Sequence, residues 1–314
     1  LYGEDFIACL CDNGVAAHLL SFPGDEEHKT RETKQALEDR MSTEGCIRNT
    51  CVIGLGGGVV TDMAGFIAAT YRRGVEYIAI PTTLLCMVDA ALGGKNGVNT
   101  PYGKNFVGTF YDPFEVIYNL SFLETLDDAE MKNGYAEMIK HGIIADADYF
   151  TFLEENCEAI LSREKMTLQY AVQKSVEIKK AIVAYDTKDI SLRRVLNFGH
   201  TVGHAIEASS GYSIPHGAAV AYGCIIESML LYNKGILSEG DMRRISSLLK
   251  KVFDPLSFSL TQQEEIVHYM SYDKKNRSTD EMACVVVEHI GFSTAECCTV
   301  SADEIYSAFS HVFL

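Results

Sequence analysis

Two imidazoles four residues apart, His200 and His204, lie in the segment Asn197-Phe-Gly-His-Thr-Val-Gly-His204, and Pro215-His216-Gly217 adds a third. On a helix, side chains four apart share a face. Gly134-Tyr-Ala-Glu137-Met-Ile-Lys140-His141 sets a carboxylate, an ammonium and an imidazole on one such face. Three nitrogen or oxygen donors with one open position make a catalytic zinc site. Spacing alone pairs His200 with His204 and completes the set with His216 or Glu137. Basic residues gather near these donors in the sequence: Lys140, Lys179, Arg193 and the Lys274-Lys275 pair. In a chain of net charge −16, such a concentration suits an anionic substrate.

A second set of chemistry-bearing residues lies earlier. Gly56-Gly-Gly58-Val-Val-Thr-Asp62 joins an apolar strand to a helix. Glycines there let backbone amides approach a phosphate, although the run is not the G-x-G-x-x-G fingerprint. Pro81-Thr82-Thr83 follows a second strand, where hydroxyls either face a ligand crevice or cap a helix. Asp89, Lys95, Lys104 and Asn105 fall in and around the glycine-rich stretch 93–99, which reads as irregular loop closing on an anion.

The elements that must hold these residues divide the chain of 314 residues in two. Apolar runs at 51–55, 77–80 and 115–120, with a helix over 59–70, predict a parallel sheet covered by helices. From about Ser121 helical periodicity dominates, and only 282–288 reads as a strand. The expected division is an α/β half over 1–124 and a mostly helical half over 125–314. An excess of 43 acidic over 27 basic residues disfavours nucleic-acid binding through bulk charge. No run approaches the roughly 18 apolar residues of a membrane helix, so no membrane partner is expected. Ten scattered cysteines without a Cys-x-x-Cys pair predict reduced, buried thiols and a cytoplasmic location.

Taken together, the run Gly56-Gly-Gly-Val-Val-x-Asp62, Arg73-Gly74, Pro81-Thr-Thr83, Asp89, Gly94-Lys95, Gly103-Lys104-Asn105, Ala136-Glu137-x-x-Lys140, Asn197-x-Gly-His200-x-x-Gly-His204 and His216-Gly217 closely resembles the 3-dehydroquinate synthases, members of the sugar-phosphate cyclases. The resemblance spans nearly the whole chain, in order. It implies an N-terminal NAD-binding, Rossmann-like α/β domain and a C-terminal helical metal domain, with the active site between them. It implies metal ligation by Glu137, His200 and His216, holding zinc or cobalt, and makes His204 catalytic together with Lys140 and Asp189.

By the same resemblance, NAD contacts fall on Glu26, Lys29, Gly57, Gly58, Val59, Asp62, Thr82, Thr83, Lys104, Phe122, Thr125 and Asn133. Substrate contacts fall on Arg73, Asp89, Lys95, Asn105, Lys140, Lys179, Arg193, Asn197 and one of the Lys274-Lys275 pair, taken as Lys275. The implied reaction converts 3-deoxy-D-arabino-heptulosonate 7-phosphate to 3-dehydroquinate and phosphate, a shikimate-pathway step that recycles NAD, and a homodimer is implied. Rival readings are a valiolone- or inosose-forming cyclase and a metal-dependent alcohol dehydrogenase of the glycerol dehydrogenase type. Two positions depart from the family pattern: Asn96 stands where Thr is usual, and Asp189 is a shorter acid than the customary one. The family's first strands are also missing, so leading residues are expected to precede Leu1.

Overall fold

The computed structural model describes residues 1–271 and 282–313, and the chain separates into two units, Leu1–Leu126 and Asp127–Leu314. The first unit holds α1 (Gly3–Asp12), α2 (Arg31–Thr43), β1 (Cys51–Gly56), α3 (Gly58–Thr70), β2 (Glu76–Pro81), β3 (Lys95–Thr100), β4 (Gly103–Phe110) and β5 (Glu115–Val116). Strands β1, β2 and β5 form a parallel sheet with β2 at its centre. Helix α3 is buried through its middle, residues 61–68, where Met63, Ala64, Phe66, Ile67 and Ala68 join the core with the sheet. This is the α/β arrangement that the apolar runs predict.

Two local readings change. The glycine-rich stretch is an antiparallel hairpin, β3 paired with β4, and not an irregular loop. A side chain at Gly108 would collide with the Asn96 carbonyl oxygen, so its lack of one lets the two strands close. The third predicted strand shrinks to two residues, Glu115 and Val116.

The second unit holds α4 (Asp128–Ala145), α5 (Ala147–Glu155), α6 (Cys157–Leu161), α7 (Lys165–Tyr185), α8 (His200–Ser209), α9 (His216–Asn233), α10 (Glu239–Val252), α11 (Leu260–Ser271), β6 (Met282–His289), β7 (Phe292–Val300) and α12 (Ala302–Val312). Its core is built from α4, α8 and α9, with Tyr135, Met138, Ile139, Phe198, Val202, Ile206, Val220 and Ile226 fully enclosed. The strand read at 282–288 pairs with a second strand, β7, whose polar, cysteine-bearing sequence carries little strand signal. All ten cysteines are free thiols. Only Cys86, Cys157, Cys224 and Cys284 are buried, while Cys9, Cys11, Cys51 and Cys297 are exposed, which corrects the expectation of buried thiols throughout. No described helix is long and apolar enough to cross a membrane.

Candidate active site

Glu137 sits mid-way along α4 and is wholly buried. One turn later Lys140, almost equally buried, places its ammonium against Glu137 Oε2. The other carboxylate oxygen, Oε1, lies 3.3 Å from His200 Nε2 and 3.3 Å from His216 Nε2. Glu137, His200 and His216 therefore offer three ligand atoms within 4.8 Å of one another. His200 opens α8 after Gly199, whose φ of 77° is the left-handed region that favours glycine. Its Nδ1 is 3.1 Å from the Phe198 carbonyl, which fixes the ring with Nε2 toward Glu137. His216 opens α9, and its Nδ1 lies 3.3 Å from Glu207 Oε2.

His204, which spacing pairs with His200, packs its ring 5.1 Å from that of His200 and 6.3 Å from that of His216. It lies at the exposed rim of the cluster, outside the three-donor group. Sharing a helical face brings His204 near, but Glu137 and His216 arrive from other helices and meet His200.

The charges in the cluster are set by its own members. Burial pushes the Glu137 carboxyl up, but Lys140 and His200 outweigh it and hold the group well below the usual carboxylate range. Burial pulls His200 down, against the attraction of Glu137. Desolvation pulls the part-buried His216 down as well, yet its contacts with Glu137 and Glu207 raise it to about 10. The two imidazoles face one carboxylate oxygen and still move in opposite directions. His216 has a second carboxylate, Glu207, at its far nitrogen, whereas His200 has none there and is repelled by the Lys140 ammonium.

Two further cations expected to grip substrate lie in the same unit. Lys179 on α7 and Arg193 are both buried. The Arg193 Nη1 donates to the Thr187 carbonyl at 3.1 Å. The turn between α7 and Arg193 is organised by Asp186, whose carboxylate accepts the amides of Ile190, Ser191 and Arg193 at 3.0, 2.6 and 3.2 Å. Those amides, led by Ile190 and Ser191, lower its pKa to about 2. Asp189 adopts a left-handed conformation in this turn, with φ of 56°. Asn197 closes the 3-10 turn Leu192–Asn197 that leads to the His200 segment. Asn133, expected at the cofactor, commits its amide to the Gly217 N–H at 2.9 Å and to Glu130 at 3.0 Å, and so braces the start of α9. Lys275 lies outside the described residues.

In the α/β unit, Lys29 is buried with its ammonium 2.5 Å from Asp62 Oδ2 and 2.7 Å from Asn105 Oδ1. Three residues expected at cofactor or substrate thus form one cluster. Asn99 ties it in place, donating to the Glu26 carboxylate at 2.7 Å and accepting the Asn105 N–H at 2.9 Å. Helix α3 starts at Gly58 and Val59 without a side-chain cap, and a Cβ on Gly57 would meet Thr83 Cγ2 at 3.1 Å. Thr83 Oγ1 accepts the Cys86 N–H, the capping role weighed for it, while Thr82 donates its N–H to the Gly56 carbonyl. Lys95 and Asn105 line one recess with Gly97, Gly108 and Thr109, and Lys104 adjoins Asn105 on β4. Arg73 is exposed in the turn after α3, and Asp89 lies in the π-helical turn Cys86–Ala90. Phe122 and Thr125 belong to a 3-10 turn against which Tyr2 packs, its hydroxyl bonded to Thr125.

Three acidic residues are not legible as site residues in the sequence: Glu207, Glu227 and Asp186. Glu207 comes seven positions after His200 and Glu227 eleven after His216, both whole turns along the same helices. That spacing is the one signal that could have found them. Asp186 carries no such signal, because its partners are backbone amides of a turn.

Solved sugar-phosphate cyclases share this two-unit fold. The structure matches 2-epi-5-epi-valiolone synthase from Streptomyces hygroscopicus, solved with NAD+ and Zn2+ bound, at a TM-score of 0.91 and 28% identity, covering 99% of this chain and 87% of that one. It also matches a 2-deoxy-scyllo-inosose synthase solved with carbaglucose-6-phosphate, NAD+ and Co2+, at a TM-score of 0.90 and 26% identity over 99% and 87% of the two chains. A glycerol dehydrogenase from Schizosaccharomyces pombe, at 15% identity and a TM-score of 0.67, shares the fold alone.

The chain belongs to the 3-dehydroquinate synthase family: residues 19–133 match its N-terminal model and 134–276 its C-terminal model. The 3-dehydroquinate synthase of Caldanaerobacter subterraneus subsp. tengcongensis is 44% identical over 278 residues, 88% of this chain and 78% of the relative. That of Nitrosospira multiformis is 41% identical over 295 residues, 94% and 80% of the two chains. Family membership makes the protein a lyase, a cyclase that eliminates phosphate.

Proposed function

We propose that the protein is a 3-dehydroquinate synthase that uses NAD and a divalent metal, zinc or cobalt, and that its sites lie where the residues above gather. The observation that carries this reading is the buried Glu137 oxygen at 3.3 Å from the Nε2 atoms of both His200 and His216. One carboxylate and two imidazoles with a solvent-facing side suit a catalytic divalent cation. When bound, the metal supplies Lewis-acid polarisation of a hydroxyl and NAD supplies reversible removal and return of hydride.

The chain's own residues do the rest. Glu137, His200 and His216 hold the cation. The Lys140 ammonium offsets the Glu137 charge and presents proton donors at the same place. His204, at the exposed edge of the imidazole cluster, is placed to carry a proton between the cluster and water. Buried Lys179 and Arg193, with Asn197, grip the anionic oxygens of the heptulosonate phosphate, and the Asp186 turn keeps Arg193 in position. Asp189 is assigned to proton handling in that turn. In the α/β unit, the start of α3 with Gly57, Gly58 and Val59 receives the dinucleotide phosphates. Lys29, Asp62, Thr82, Thr83 and Lys104 bound the same region. The reading extends to a homodimer working in the cytoplasm, checked by sedimentation velocity and cell fractionation.

The test is turnover of 3-deoxy-D-arabino-heptulosonate 7-phosphate with catalytic NAD and Zn2+. Phosphate and 3-dehydroquinate should appear in equal amounts with no net NADH. Stoichiometric NADH would assign the chain to the dehydrogenases, and turnover only of sugar phosphates lacking the carboxylate would assign it to another cyclase.

A further inference from the structure

We infer that Glu207 is a positioning residue of the metal centre, holding the His216 ring so that its Nε2 faces Glu137. The inference rests on the reading of Glu137, His200 and His216 as metal ligands, and it concerns a residue outside that set. An imidazole that ligates through Nε2 carries its proton on Nδ1, and that N–H needs an acceptor to fix tautomer and ring angle. His216 Nδ1 lies 3.3 Å from Glu207 Oε2, and its Nε2 lies 3.3 Å from Glu137 Oε1. The ring is therefore held between two carboxylates on opposite sides.

His200 is oriented differently, by the Phe198 carbonyl two residues before it on its own chain segment. His216 has no such local device. It is the first residue of α9, and its neighbour Pro215 at the helix entry offers no side-chain bond. Its side chain is also the wetter of the two, 27% exposed against 11% for His200. Where water competes, an anionic acceptor orients a ring better than a carbonyl, because charge-assisted hydrogen bonds are about twice as strong. Glu207 meets that need. It is buried, and it stands two turns after His200 on α8, so one helix presents both a ligand and the support of the other ligand.

The experiment uses the full chain stripped with a chelator. Zn2+ affinity is measured by competition with a chromophoric chelator, and the visible absorption of the Co2+-loaded protein is recorded. Glu207→Ala should weaken Zn2+ binding by about 10–100-fold and Glu207→Gln by less, with shifted Co2+ bands in both and NAD affinity unchanged. Affinities within twofold of the parent, with superimposable Co2+ spectra, overturn the inference. If Glu207→Ala does not fold, Glu207→Gln decides, together with a cycle in the His216→Ala background. There Glu207→Gln should change the residual Zn2+ affinity no further. An equal loss in both backgrounds would make Glu207 a folding residue and overturn the role. A parent chain that takes up neither Zn2+ nor Co2+ removes the metal reading itself and this inference with it.

Discussion

The Glu227 carboxylate on α9 accepts the Gly199 N–H at 2.9 Å, one residue before His200. Its second oxygen lies 3.4 Å from the Val202 N–H, so a side chain of one helix caps the first turn of another. The first amides of a helix lack internal acceptors and carry partial positive charge, which a buried carboxylate satisfies. The two helices come close enough for this because position 223 is glycine, where a Cβ would collide with the Gly199 carbonyl oxygen. The start of α8, and with it His200, is thus set by α9.

Glu227→Ala leaves buried amides without an acceptor, which costs about 1–3 kcal/mol, while Glu227→Gln keeps an acceptor and costs less. Zn2+ affinity should fall in the same order, since His200 moves with the helix start. Urea unfolding of the metal-free protein followed by Zn2+ titration reads both effects. An unchanged unfolding midpoint in Glu227→Ala would show that the cap contributes nothing.

Asp186 makes a pH-dependent prediction. Its carboxyl is held at about 2 by backbone amides, below the ordinary value of roughly 4. A lowered folded-state pKa contributes stability that is complete above the unfolded value and is lost as pH falls through the folded one. Asp186→Asn should therefore be less stable than the parent above about pH 4, with the difference vanishing near pH 2. Urea unfolding from pH 6 downward checks it, and a difference that stays constant across the window counts against the carboxylate. Because the same carboxylate holds the Arg193 amide, Asp186→Asn should also raise the substrate KM without altering NAD affinity.

The parts of this molecule legible in sequence are those whose signal is local. The β1–Gly–α3 entry, the His200 segment and the Glu137–Lys140 turn each show their chemistry within a few residues. The β3–β4 hairpin is hidden because its glycines read as breaks, although Gly108 serves close backbone approach. The supporting acids are hidden for another reason. Glu207 and Glu227 look like ordinary helical glutamates until tertiary packing brings His216 and Gly199 to them. Asn133 is expected at the cofactor, and its bond to Gly217 emerges only once α4 and α9 are packed together.

The Lys29–Asp62 pair tests the α/β unit. Both side chains are largely buried, at 3% and 12% exposure. Removing one partner of such a pair strands the other charge, a loss of about 3–5 kcal/mol, whereas replacing both with apolar residues is far milder. Lys29→Met should thus destabilise the protein and weaken NAD binding, and Lys29→Met with Asp62→Leu should regain stability without regaining NAD affinity. Thermal unfolding and NAD titration separate the two effects. A double variant no more stable than Lys29→Met would mean that the pair is not coupled.

The metal ligands make the sharpest prediction. Glu137→Gln keeps the shape of the side chain but removes the charge that both imidazoles and Lys140 face, and His216→Ala removes one of three donors. Each should abolish dehydroquinate formation through loss of bound metal, while NAD, whose proposed contacts lie mainly in the α/β unit, should bind as before. Arg193→Ala is the contrast: it should retain metal and NAD and lose affinity for the heptulosonate phosphate. Metal content by atomic absorption, with NAD and substrate titrations on the same preparations, distinguishes the three. Full zinc occupancy in Glu137→Gln or His216→Ala would remove that residue from the ligand set, and loss of NAD binding in Arg193→Ala would remove Arg193 from the substrate site.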